Sequence, residues 1–334
     1  MFEPSNSYSC QKPFDSAFSA KNERSEIKFN RRLHEQILKE KSMTICIAAI
    51  SNVGSQYSPF VLTCSDREMT GSETRFDSGT PKLRALTVNA GVMYSSSDSL
   101  LSIEIIERVK KNLQNKENWM ISEIAELVAT ECRKMKEEIL ERDVTSKFNF
   151  IIKQLNADPN SLAHDAKNEA DFYIYPRFDF IVFGLDNDGY KAHIHKINQN
   201  GKSECWDAVG FVAIGIGESL ASAEMTKYLY SPHVDISYAI PRVYIAKKVS
   251  QRAPGVGEYT DFGVMYYLHD PQTKTIRPFT TPLSDQPQFI SLLEKMYKNL
   301  KKKEFNEIMK TKDALQKIIY APPEQKKEEP IKEK

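Results

Sequence analysis

The order of element types along the chain limits its fold more than any one motif: strands, two helices, strands, two helices, and a strand. Antiparallel strand groups alternating with helix pairs imply α+β layers, two sheets covered by helices. TICIAAI and FVLTCSD are short apolar runs with β-branched residues, and SNVGSQYSP between them supplies Gly, Ser, Asn and Pro. The pair reads as an antiparallel hairpin with a long loop. LRALTV and GVMYSS read as further strands. Leu100, Ile103, Ile106 and Val109 then recur every third residue, a helix with Ser97 or Asp98 as N-cap. A second helix is expected over about 120–141, with Ile121, Ile124, Leu127, Val128 and Cys132 on its apolar face.

Residues 1–43 read as an N-terminal extension or propeptide, in which Phe29, Leu33 and Ile37 would share a helix face. The segment 143–176 reads as an insertion. Strands are expected again from Phe178 to Gly184, over YKAHIHKI, and from the NQNGK turn to VAIGIG. Helices follow at about 218–230 and 236–252, then a last strand, FGVMYYL. The folded domain is taken as 44–285. A helical region over 286–320 carries Phe289, Leu292, Leu293, Met296 and Leu300 at helical spacing, and 321–334 reads as a disordered, charge-alternating tail.

Charge and cysteine content narrow the function. With 46 basic and 45 acidic residues the net charge is +1, which gives no general pull toward nucleic acid or an anionic membrane surface. Five cysteines, odd in number and without CxxC, argue against a disulfide framework or a thiolate zinc site and suit a reducing compartment. No apolar run approaches the ~20 residues that span a bilayer, and the N-terminus lacks a basic-then-apolar signal, so a cytoplasmic protein is expected. There is no Walker loop, GxGxxG, GxSxG or HExxH. His193 and His195 form an HxH pair on one face of a strand; without a third ligand nearby they read as exposed strand histidines rather than a metal site.

The informative stretch is Met43–Lys82: MTICIAAI, VLTCSDREMTG and TPKLRAL. Thr44 opens a strand, Asp66 ends the next, and Lys82 follows sixteen residues later at the start of another. This pattern resembles the proteasome-type peptidases of the Ntn-hydrolase superfamily, including HslV-type and Anbu-type subunits, with Thr44–Cys46 most like the Anbu-type start. GVMYSSSDSLLSIEIIERV, FIVFGLDNDGYKAHIHKINQNG, VAIGIGES and GEYTDFGVMYYL are similar to later family motifs in the same order, so the resemblance covers about 43–269. It implies a four-layer αββα sandwich, two antiparallel sheets face to face with helix pairs outside. It also implies self-association into a ring or helical homo-oligomer, a peptide or unfolded protein as substrate, an ATPase unfoldase as a possible partner, and no metal or organic cofactor.

By the same resemblance, Thr44 is the nucleophile, Lys82 holds its hydroxyl, and Asp66 keeps that lysine charged and oriented. A free α-amine on an N-terminal threonine serves as base for its own hydroxyl, because an amine with pKa near 8 titrates close to working pH. An oxyanion donor is expected near Ser95 or Ser96, and Glu258 and Asp261 lie where the family places polar groups that tune the amine. Three departures accompany these matches. Thr44 lies behind 43 residues with Met43 directly before it, Ile216 stands where the family's turn has serine, and REMTG follows Asp66. The residues thus allow a threonine-type peptidase, a non-catalytic structural or binding subunit of the same fold, or a non-peptide amide hydrolase.

Overall fold

The computed structural model describes residues 44–52, 59–70, 75–77, 82–114, 118–143, 177–186, 191–269, 276–285 and 287–319. The expectations for 1–43, for nearly all of the insertion and for the tail from 321 lie outside these residues. The chain divides into two compact units, one ending at Thr281 and one beginning at Pro282.

The first unit is mixed α/β, with two five-stranded antiparallel sheets. In the first sheet, β1 (Ile45–Ser51) pairs with β2 (Phe60–Ser65) as the expected hairpin, in the register Cys46↔Ser65 to Ser51↔Phe60. A ribbon, β3 (Glu68–Thr70) with β4 (Arg75–Asp77), leads to the second sheet. That sheet runs in the order β5 (Leu83–Ala85), β6 (Ala90–Ser96), β7 (Phe178–Asp186), β8 (Lys191–Ile197), β9 (Ser203–Cys205). The first sheet is completed by β10 (Phe211–Gly215) beside β1, and by β11 (Asp261–His269) and β12 (Ile276–Pro282) beyond β2.

Period-2 alternation along β6 and β7 builds two cores. Val92, Tyr94, Phe180 and Val182 face helices α1 (Ser99–Leu113) and α2 (Ile121–Asp143) in one cluster. Met93, Ile181 and Phe183 point the other way, into a cluster with Cys46, Ala48, Ile50, Val212 and Ile214 of the first sheet. Strands buried on both faces, as β1 and β7 are along their whole length, show as unbroken apolar runs. On the first sheet, α3 (Glu218–Lys227) and α4 (Ile236–Ser250) pack over β1, β2 and β10. Among the described residues no helix is long and apolar enough to cross a membrane.

Several sequence expectations need correction. Asp98 does cap α1, its carboxylate accepting from the Leu100 amide at 2.9 Å, but Leu100 is 77% exposed. The buried stripe is Ser102, Ile105, Ile106, Val109 and Leu113, because 3.6 residues per turn carries a strict three-residue repeat off the face. The run from NQNGK to VAIGIG is two strands in different sheets. The turn at Trp206 separates them, closed by the Gly210 amide donating to Trp206 at 2.9 Å, with Gly210 at φ +82°. Neither β12 nor the β3–β4 ribbon stood out in the sequence.

Helix α3 ends in a left-handed cap: the Leu229 amide donates to Thr226 at 2.9 Å and the Tyr230 amide to Met225 at 3.2 Å. Leu229 occupies that position at φ +53° with its side chain 85% exposed. Glycine takes this conformation without strain and little packing would be lost. Leu229→Gly is therefore expected to stabilise the fold by about 0.5–1 kcal/mol, seen as a higher thermal midpoint. A lower midpoint would mean that the leucine is held by contacts this exposure does not suggest.

The second unit contains helix α5 (Pro287–Ile319). Of its expected stripe, Leu293 is buried, Phe289, Met296 and Leu300 are half-buried, and Leu292 is 65% exposed.

Candidate active site

Three strand ends meet at one point. Thr44 precedes β1, Asp66 follows β2, and Lys82 precedes β5, so the first sheet supplies two of the side chains and the second sheet the third. Asp66 is placed beside Thr44 by the β1–β2 register, continued by its own amide donating to the Ile45 carbonyl at 3.2 Å.

The Thr44 hydroxyl donates to Asp66 Oδ1 and accepts from Lys82 Nζ. Lys82 Nζ also pairs with Asp66 Oδ1 at 2.6 Å. The other carboxylate oxygen, Oδ2, accepts from the Gly257 amide at 2.8 Å, and the Ile45 amide lies 3.5 Å from Oδ1. All three side chains are buried, Asp66 completely. A closed cation–carboxylate–hydroxyl triangle with an amide on its far oxygen is a set of charge-assisted bonds in low dielectric, where such bonds are strongest. Chemically, it holds a hydroxyl oxygen between a proton donor and a proton acceptor.

The turn after β10 completes the wall. Gly215 has φ +100°, and a Cβ built there would lie 2.3 Å from the Thr44 carbonyl oxygen and 3.0 Å from Ser95 Oγ. Two residues on, the Gly217 amide reaches the same carbonyl at 3.4 Å. Ser95 is thus beside the site and buried. Ser96 is not: its hydroxyl closes the turn into α1, donating to the Asp98 carbonyl at 2.6 Å and accepting the Asp98 amide at 3.0 Å.

Neither Glu258 nor Asp261 hydrogen-bonds Thr44. The Glu258 side chain is exposed, and what its segment sends to the site is the neighbouring Gly257 amide. Asp261 is gripped by Arg67, whose Nε lies 2.8 Å from both carboxylate oxygens. That pair forms because β11 enters the sheet with Asp261 opposite Ser65, two residues before Arg67.

Other nucleophiles nearby are poorly set for reaction. Cys46, two residues from Thr44, is fully buried and donates to the Tyr94 carbonyl at 3.4 Å; burial pushes its thiol far above the usual range. Burial likewise pushes Cys64 up to about 12. Thiols held protonated make weak nucleophiles.

The histidine pair is not on the surface as expected. His195 is buried, and desolvation lowers its pKa. His193 bridges two carboxylates, Nδ1 at 2.6 Å from Asp207 and Nε2 at 3.2 Å from Asp186. Its pKa is raised, first by the hydrogen bond to Asp207. Among the described residues no group of three or more His, Cys, Asp or Glu could hold a metal ion. A raised folded-state pKa stabilises fully below the unfolded value, near 6.5, and the gain fades as pH rises through the folded value. His193→Gln is accordingly expected to lower the thermal midpoint more at about pH 5.5 than at about pH 8.5. An equal drop at both would show that the imidazolium contributes nothing.

No protein-family model matches the chain, and no match is found among curated proteins.

Proposed function

We propose that the chain is a proteasome-type N-terminal-threonine hydrolase that cleaves peptide amide bonds through an acyl-enzyme, on a four-layer αββα Ntn-hydrolase sandwich. The observation that carries this reading is the contact of Thr44, Asp66 and Lys82 in one buried triangle, from positions 22 and 16 residues apart in sequence. Two sheets sharing one core, each with a helix pair packed on it, support the fold half of the proposal.

In this mechanism, cleavage ahead of Thr44 frees its α-amine. The amine takes the proton from Oγ1 as the oxygen attacks the substrate carbonyl, then delivers it to the departing amine. Water, deprotonated by the same amine, opens the ester and restores the threonine. Lys82 stays protonated, donating to Oγ1 and balancing the charge that develops there, and Asp66 holds the ammonium in place. Self-association into a ring or helical assembly would confine the substrate.

One observation favours a second reading, a catalytically inactive structural or binding subunit. Thr44 is 3% exposed and sits behind 43 residues. Intact mass with N-terminal sequencing of protein purified from its own cell separates the two. A chain starting at Thr44, labelled by a peptide electrophile that bonds both amine and hydroxyl of an N-terminal threonine, and unlabelled as Thr44→Ala, is the expected result. A mature chain that retains residues ahead of Thr44 would leave the scaffold reading.

A further inference from the structure

Lys247 lies in the last turn of α4 with no exposed surface. A buried ammonium carries a desolvation penalty of several kcal/mol unless its protons are well used. Its Nζ donates to two consecutive backbone carbonyls, Gly257 at 3.0 Å and Glu258 at 2.8 Å. One turn further along, Gln251 Nε2 donates to the same pair, at 3.0 and 3.1 Å. Side chains four residues apart on a helix lie on one face, so together they grip a single peptide segment. The segment contains Gly255 and Gly257 and so has a soft backbone that the grip holds in one conformation.

What that conformation does is aim the Gly257 amide at Asp66 Oδ2, 2.8 Å away. With Oδ2 fixed, the carboxylate cannot rotate, and Oδ1 stays directed at Lys82 and Thr44. The same end of the helix holds the opposite wall: Ser250 Oγ lies 3.3 Å from the Gly217 carbonyl, and the Gly217 amide meets the Thr44 carbonyl.

We propose that Lys247 and Gln251 form a positioning clamp that fixes Asp66 through the Gly257 amide and thereby sets the reactivity of Thr44. The link from clamp to reactivity rests on the threonine-hydrolase reading above; the link from clamp to the Gly257 amide does not. Displacements of an ångström at a reacting centre cost about 100-fold in rate, so a residue that grips the backbone carbonyls of this segment has leverage of that order.

Lys247→Met keeps about the same volume and removes the ammonium, while Gln251 still donates to both carbonyls so that neither is left unpaired. Lost reactivity in a variant that melts no lower than wild type therefore does not come from unfolding. On the mature chain, the peptide electrophile is expected to label Lys247→Met with kinact reduced about 100-fold and KI within about two-fold. Lys247→Arg, which can still donate to both carbonyls, is expected to recover at least about a tenth of the wild-type kinact. Deuterium exchange at the Gly257 amide should be at least about ten-fold faster in Lys247→Met, with the amides of β1 and β2 unchanged. Labelling at the wild-type rate, or an unchanged Gly257 amide, would overturn the clamp. If mature wild-type protein takes no label, the hydrolase reading fails by itself and the exchange measurement alone decides the clamp.

Discussion

Replacing Lys82 by Met is expected to abolish labelling of Thr44 and to destabilise the fold by about 3–5 kcal/mol. Both effects have one origin. Asp66 has no exposed surface, and its ionic partner is Lys82 at 2.6 Å. Without the lysine, a carboxylate is left in low dielectric with backbone amides and the Thr44 hydroxyl as partners but no counter-charge at 2.6 Å, and uncompensated buried charge is among the few mechanisms that cost this much. The chemical loss is separable from the stability loss. In Lys82→Met with Asp66→Asn, the neutral amide still accepts from the Gly257 N–H, so most of the lost stability should return. Labelling should not. Chemical denaturation at neutral pH reads the first and mass spectrometry the second. If the double variant is no more stable than Lys82→Met, the loss lies in packing and not in charge. If Lys82→Met is labelled at the wild-type rate, the lysine has no part in the chemistry.

Gly215→Ala is expected to be nearly as damaging, at about 3 kcal/mol, although it adds one methyl group. The backbone there has φ +100°, where an L side chain is strained whatever the space around it. The added carbon would also lie 2.3 Å from the Thr44 carbonyl oxygen, well inside contact distance. Because the obstruction is backbone, a change of rotamer does not relieve it, and the turn after β10 must move away from β1. Thr44 would then lose its place between Asp66 and Lys82. The expected signature is lower stability together with labelling slowed by at least about 100-fold. A folded variant labelled at full rate would show that the turn can shift without carrying Thr44.

What could be read from the sequence follows from how far each signal reaches. Local chemistry was legible: the Asp98 cap, the β1–β2 hairpin and both helix pairs depend on neighbours within a few residues. The positions of Thr44, Asp66 and Lys82 at strand ends were also visible, since each ends or begins an apolar run. Their convergence was expected from the resemblance alone and not from the residues themselves, because it depends on two sheets sharing a core. The separation of β9 from β10 was hidden for a different reason. Trp206–Gly210 is a tight turn whose apolar Trp206 and Val209 resemble strand residues, and only Gly210 hints at a break. Lys247 did leave a trace: with Ala239, Val243 and Ser250 buried on α4, it is a lysine in an apolar stripe. A charge on the buried face of a helix needs a partner, and that requirement points toward a function. His193 gave no such warning, as Asp207 and Asp186 reach it from outside its own strand.

The composition of the site also sets a timetable. β1 finds one neighbour, β2, almost at once during synthesis, but its other neighbour, β10, begins at Phe211, and the amide that steadies Asp66 comes from Gly257. A nascent chain still on the ribosome therefore holds Thr44 and lacks the means to orient it until synthesis has passed Gly257, more than 200 residues later. Pairings this distant in sequence form late, because the loop entropy is paid before the contacts form. Whatever the threonine does, it becomes able to do it only when both sheets already exist.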